Sequence, residues 1–132
     1  MPEVKKQTIV WVEDSPNDVE LIKEQLERGK LSDRVNLEFL MVEPGGVNFK
    51  EILERVTNLD PEVTVFTDGL KAAMPEVVKA ARKNVPERRV GFVTDNLRSQ
   101  VELAIDAYKV DFFNKGGIID KKSFKKFVLG EK

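Results

Sequence analysis

Cysteine and histidine are both missing from the 132 residues. Without cysteine there is no disulfide framework and no thiol nucleophile, and a reducing cytoplasm is the expected compartment. Without histidine the commonest general base and the commonest metal ligand are gone. No apolar run approaches the length of a bilayer span, and residues 1–8 are too polar for a secretory signal, so no membrane partner is expected. There is no excess of either charge: 22 Lys and Arg stand against 23 Asp and Glu, a net charge of −1. A module that binds nucleic acid directly is usually basic, and that class is excluded on this balance. What remains is 41% hydrophobic and 34% charged, a folded and not a disordered composition. The length suits one domain, 1–132, and no repeat or linker divides it.

The most informative stretch runs from Ile9 to Asp18. Ile9-Val10-Trp11-Val12 is apolar without a break and stops at two adjacent carboxylates, Glu13 and Asp14. So short a continuous run suits a strand buried on both faces. Ser15 then reads as a helix N-cap, with Pro16 at the first helical position and Asp18 three after the cap. A buried strand thus delivers two acids to a rim beside the positive end of a helix, and such neighbours repel unless a cation or proton lies between them.

The same alternation continues along the chain. Val19, Ile22 and Leu26 repeat at helical spacing up to Gly29, a natural C-terminal stop. Val35 to Val42 reads as a second strand, with Glu38 pointing to a place near the sheet edge. After the Pro44-Gly45-Gly46 turn, Asn48 is expected to cap a helix bearing Phe49, Ile52, Leu53 and Val56, with Val47 and Ile52 as a hydrophobic staple. Val63 to Thr67 reads as the third strand and stops at Asp68-Gly69. Pro75 opens a helix with Val77, Val78 and Ala81 inward. Val90 to Val93 reads as the fourth strand and stops at Thr94. Leu97 to Ala107 is the next helix, Val110 to Phe113 the fifth strand, and Asp120 caps a last helix carrying Phe124, Phe127 and Val128. Five strands alternating with five helices predict a doubly wound α/β fold: a five-stranded parallel sheet of order 2-1-3-4-5 between two helical layers, flavodoxin-like. Ligands in such sheets bind beyond the carboxyl ends of the strands, between strands 1 and 3.

The residues that follow the strands are chemically complementary. The first gives Glu13 and Asp14, the third Asp68, the fourth Thr94 and the fifth Lys115. Hard oxygen ligands suit Mg²⁺, and a lysine and a hydroxyl suit the oxygens of a phosphoryl group. A carboxylate can itself accept that group, and Asp68, flanked by Gly69, is the best-placed nucleophile. A flavodoxin-type cofactor binder is disfavoured, because no Ser/Thr/Gly-rich phosphate loop follows the first strand.

On these residues the chain resembles the receiver domains of two-component response regulators. Val12 to Asp18 is similar to the family's acidic pair and following helix. Val63 to Asp68 with Met74-Pro75 resembles its phosphoacceptor strand. Val90 to Thr94 resembles the strand ending in the switch hydroxyl. Val110 to Lys115 resembles the strand with an aromatic three before the lysine, which puts the switch aromatic at Phe112. The resemblance implies Mg²⁺ held by Glu13, Asp14, Asp68 and the carbonyl of Leu70. It implies phosphorylation of Asp68 by a histidine kinase or phosphotransfer protein, with Thr94 and Lys115 assisting and Thr94 and Phe112 switching. Enzymatic activity would go no further than self-phosphorylation from a phosphodonor and autodephosphorylation. The expectation is a single-domain receiver whose output is altered binding of a partner protein by a monomer or weak dimer. The chain departs from the pattern at several points: the segment between strands 1 and 3 is longer around Pro44-Gly45-Gly46, and Glu76-Val77 stands where an Asp-Gly is common beyond the proline. Met74-Pro75 comes late after Asp68, Asp95 follows Thr94, and Gly116 stands where a proline usually follows the lysine. Those departures define the alternative: a degenerate receiver that binds partners without phosphorylation.

Overall fold

Strands form where the apolar runs predict them, and all five join one parallel sheet. The computed structural model describes residues 7–31, 33–68, 73–94, 98–114 and 122–129. In chain order the elements are β1 (Gln7–Glu13), α1 (Pro16–Arg28), β2 (Val35–Met41), a 3₁₀ turn (Pro44–Gly46), α2 (Phe49–Thr57), β3 (Thr64–Thr67), α3 (Met74–Lys83), β4 (Val90–Thr94), α4 (Arg98–Tyr108), β5 (Asp111–Asn114) and α5 (Lys122–Val128). The strand order is β2-β1-β3-β4-β5, as the alternation of elements predicts. β2 is an edge strand, and its Glu38 forms an exposed ion pair with Arg55 of α2.

Side-chain alternation divides the core in two. Val10 and Val12 of β1, Val65 of β3 and Phe92 of β4 face α2, α3 and α4. Ile9 and Trp11, Phe66 and Val93 face α1 and α5. Because the central strands are covered on both sides, their sequences are almost continuously apolar. Each valine buried this completely contributes about 1.5–3 kcal/mol by leaving water. On the α1 and α5 side the packing is aromatic. Trp11 stacks on Phe66 at 4.8 Å, and Phe66 meets Phe113, Phe124 and Phe127. Gly91 of β4 lies under the Phe66 ring, where a Cβ would come within 2.4 Å of the ring carbons.

Helix ends follow local chemistry, with one departure from the sequence reading. Ser15 caps α1 as expected, its Oγ accepting from the Asp18 N–H at 3.3 Å. At the other end Gly29 occupies the cap with φ −81°, and Lys30 takes the left-handed conformation at φ 58°. The Leu31 N–H reaches the Leu26 carbonyl at 2.9 Å and Lys30 N–H that of Glu27 at 3.0 Å, the Schellman pattern, with Leu26 and Leu31 both buried. An L-residue there is strained by its Cβ, so Lys30→Gly is expected to add about 0.5–1 kcal/mol of stability, after the greater freedom of glycine in the unfolded chain is deducted. Urea titration checks this; a lower midpoint would show that the lysine stem contributes more than the strain removes.

The departure is at α2. Asn48 stands at the helix start, but its side chain makes no capping bond. Instead its Nδ2 donates to the Met41 carbonyl at 2.7 Å, and its Oδ1 accepts from the Glu43 N–H at 2.8 Å. The expected staple does not form either, since Val47 is 77% exposed. Tying down the end of the edge strand has won over capping the helix. Leu97 and Asp120, expected in the start of the fourth helix and at the cap of the fifth, lie outside the described residues. Among the described residues no helix is long and apolar enough to cross a membrane.

Candidate functional site

Backbone pairing brings β1 and β3 level at their carboxyl ends. Val12 is in register with Thr67, and the Asp68 N–H donates to the Val12 carbonyl at 3.1 Å. The Thr67 hydroxyl, fully buried, donates to the Asp68 carbonyl at 2.8 Å. Asp68 is therefore held by its own main chain at the point where β1 ends. On the other side of β1, the Val42 N–H donates to the Glu13 carbonyl at 2.8 Å and fixes the strand end against β2.

From this frame Glu13, Asp14 and Asp68 each offer a carboxylate oxygen, and the three oxygens lie within 4.8 Å of one another. Glu13 is fully buried, while Asp14 and Asp68 are half-buried. The Asp14 N–H also donates to Glu13 Oε2 at 3.3 Å, which turns that carboxylate toward the start of α1. The thirteen-residue α1 begins at Pro16, so its positive end lies beside the acids and offsets part of their repulsion. A set of three carboxylates with no nitrogen or sulfur donor suits a hard divalent cation.

The next strands contribute in the expected order. Thr94 ends β4 and is 3% exposed. It is in register with Asn114 of β5, and Phe92 is in register with Phe112. Phe112 therefore shares Thr94's face of the sheet. Phe112 is half-buried against the cluster that contains Ile105 of α4, whereas Phe113 is buried on the opposite face. Thr94 and Phe112 thus lie on one side, next to α4.

No family model and no curated protein sequence matches the chain. Solved structures do. A response regulator from Thermotoga maritima superposes with a TM-score of 0.65 at 16% identity, over 94% of this chain and 98% of that one. The bacteriophytochrome response regulator RtBRR gives 0.66 at 19% identity, over 97% and 80%. The chain has the receiver fold. The Salmonella typhimurium RcsB response regulator agrees, with 0.67 at 16% identity, over 96% of this chain and 62% of that longer one.

In this receiver fold the carboxylates of Glu13, Asp14 and Asp68 meet, and Thr94 stands at the end of the neighbouring strand. Lys115 and Leu70, the remaining two sequence candidates, lie outside the described residues, as do Gly69, Asp95 and Gly116. Two contributors were not visible in the sequence reading. Thr67 anchors the Asp68 carbonyl, and a threonine closing an apolar strand next to an acid was the available sign. Asn48 builds the loop beside Asp14, and its asparagine looked like an ordinary helix cap.

Proposed function

We propose that this chain is a phosphoryl-accepting receiver, acting in the cytoplasm, whose Asp68 is phosphorylated by a histidine kinase or phosphotransfer protein and whose output is altered binding of a partner. The observation that carries this reading is the meeting of three carboxylates from β1 and β3 at the switch point of a receiver fold. An Asp68 oxygen attacks phosphorus, the bond from phosphorus to the donor's leaving atom breaks, and that atom leaves with the electron pair. Glu13, Asp14, Asp68 and the Leu70 carbonyl are the residues that would hold Mg²⁺, which would offset charge on the phosphoryl oxygens. Thr94 donates its hydroxyl to one of those oxygens and the Lys115 ammonium neutralises another.

Phosphorylation adds about −1.5 to −2 charge and three strong acceptor oxygens at Asp68. In this reading Thr94 is drawn toward them and Phe112, on the same face, turns inward beside α4. The surface of α4 and β5 then changes between two states. Half-burial of Phe112 supports this, because a fully buried ring would have no second position to take.

The test is direct. Incubation with Mg²⁺ and acetyl phosphate is expected to add one phosphoryl mass that base removes, with acetate as the other product. Asp68→Asn is expected to abolish the adduct, since an amide is no nucleophile here. Undiminished labelling of that variant would put the acceptor elsewhere. The sequence features Asp95 and Gly116 favour a second reading, a phosphorylation-independent interaction module, and an unlabelled wild type would select it.

A further inference from the structure

β2 is the long open edge of the sheet. Its seven residues pair with β1 in unbroken register, and among the described residues no strand lies on its other side. The Arg34 carbonyl accepts from the Gln7 N–H, and the Val42 N–H donates to the Glu13 carbonyl. Main-chain groups alternate in direction along a strand. The even-numbered residues therefore bond to β1, while Val35, Leu37, Phe39 and Met41 direct their N–H and C=O groups outward. Asn48 Nδ2 already holds the Met41 carbonyl. Those of Val35, Leu37 and Phe39 have no partner among the described residues. Proteins usually blunt such an edge with a proline, a bulge, a lysine or a very short strand. β2 has none of these, whereas β5 at the opposite edge has only four residues.

The side chains beside these groups are apolar in series. On the α1 face Val35 is buried, and Leu37 and Phe39 are half-buried. α1 does not close over them: a hollow of about 600 Å³ lies between Leu26 and these three residues. The charges at its rim are largely neutralised within α1, Glu20 by Lys23 and Glu24 by Arg28. A surface of the same kind can therefore approach it without strong repulsion. Antiparallel pairing of two such edges about Leu37 sets Leu37 against the partner's Leu37 and Val35 against the partner's Phe39. It gives every free N–H and C=O of the edge a partner. On the α2 face the same register sets Glu38 opposite the partner's Asn36 and diagonal to the partner's Arg34. Arg34 is exposed and has no acidic partner among the described residues. Pairing about Glu38 would set carboxylate against carboxylate, and pairing about Asn36 would set Phe39 against the exposed partner's Asp33.

We propose that β2 is a homodimer interface, pairing antiparallel about Leu37 with β2 of a second copy of this chain. The two sheets then run on as one, and the two hollows meet over the paired apolar side chains. This surface goes beyond the phosphoryl chemistry assigned to Asp68, and it is read on unphosphorylated protein, so either can fail without the other.

The chain has no cysteine, so a single introduced thiol reports one contact. Hydrogen-bonded antiparallel neighbours have Cα atoms about 5.5 Å apart, within the span of a disulfide. Leu37→Cys is therefore expected to form a disulfide-linked dimer under mild oxidation. Asn36→Cys and Glu38→Cys are expected to cross-link when mixed and not when either is alone. Sedimentation of the full wild-type chain is expected to show a dimer. Leu37→Lys, which sets two ammonium groups together at the axis, is expected to weaken it at least tenfold. Leu37 lies on a half-buried edge, and unchanged amide NMR shifts for β3, β4 and β5 would confirm that the lysine variant folds. A monomeric wild type at NMR concentrations would overturn the proposal. So would a dimer that persists in Leu37→Lys, which another face must form, or cross-linking of Glu38→Cys with itself in place of Leu37→Cys.

Discussion

Replacing Asp14 with asparagine is expected to make the metal-free protein more stable and to remove its response to Mg²⁺. In the wild type three carboxylates converge within 4.8 Å, one of them fully buried. Their mutual repulsion is reduced by water at the half-exposed Asp14 and Asp68, so removing one charge recovers about 1 kcal/mol, far below the unscreened Coulomb value. A divalent cation that binds the folded state alone stabilises it by RT ln(1 + [L]/Kd), about 1.4 kcal/mol at a concentration tenfold above Kd. For a chain of this size that is a rise of about 5 °C in Tm. The variant, with one anionic ligand fewer, should start higher and rise little over the same titration. The cluster would be excluded as the cation site if Mg²⁺ raised both proteins equally, or neither. Backbone bonds hold Glu13 and Asp68 whatever residue stands at 14, so loss of the response reads the ligand and not the scaffold.

The largest effect on stability is expected at the opposite end of the sheet, at Arg88. Arg88 is 3% exposed, and its guanidinium donates to main-chain carbonyls. Its Nε donates to Ala81 at 2.7 Å, one Nη to Asp60 at 2.8 Å and Val63 at 2.6 Å, and the other to Leu59 at 2.9 Å. One side chain thereby joins the segment after α2, the entry to β3 and the last turns of α3. Desolvation lowers its pKa, the charges of Glu62 and Asp60 oppose that, and an arginine stays protonated throughout the working range. Arg88→Met fills the space but removes the guanidinium from four carbonyl oxygens, of which that of Asp60 keeps the Val63 N–H, at a cost of about 3–5 kcal/mol. Thermal denaturation should show a fall in Tm upwards of about 10 °C. Arg88→Lys should recover little of it, because an ammonium cannot span carbonyls spread around a planar fork. A lysine variant as stable as the wild type would mean that charge alone, and not the fork, holds these segments. Arg82 does related work: its Nε donates to the Arg88 carbonyl, and its two Nη groups to the Tyr108 and Lys109 carbonyls that close α4. Neither arginine belongs to a periodic pattern or motif of the sequence.

What the sequence determined by itself was whatever depends on local periodicity. Short, largely apolar runs such as Ile9 to Val12 suit a place between two helical layers, so β1, β3 and β4, and with them the sheet order, followed from the pattern along the chain. Glu13, Asp14, Asp68 and Thr94 were legible for the same reason, since each is the polar residue at which such a run stops. Tertiary structure decided what depends on a partner far along the chain. Asn48 had a helix to cap and two main-chain groups of the β2 end to satisfy, and only their positions in space select the second. Lys30 and not Gly29 became left-handed because the buried Leu26 and Leu31 set where the helix must turn. The need for glycine at 91 comes from Phe66 laid across it, and the role of Arg88 from the four carbonyls that surround it. Periodicity tells a residue which face it is on, and only the packed chain tells it what stands opposite.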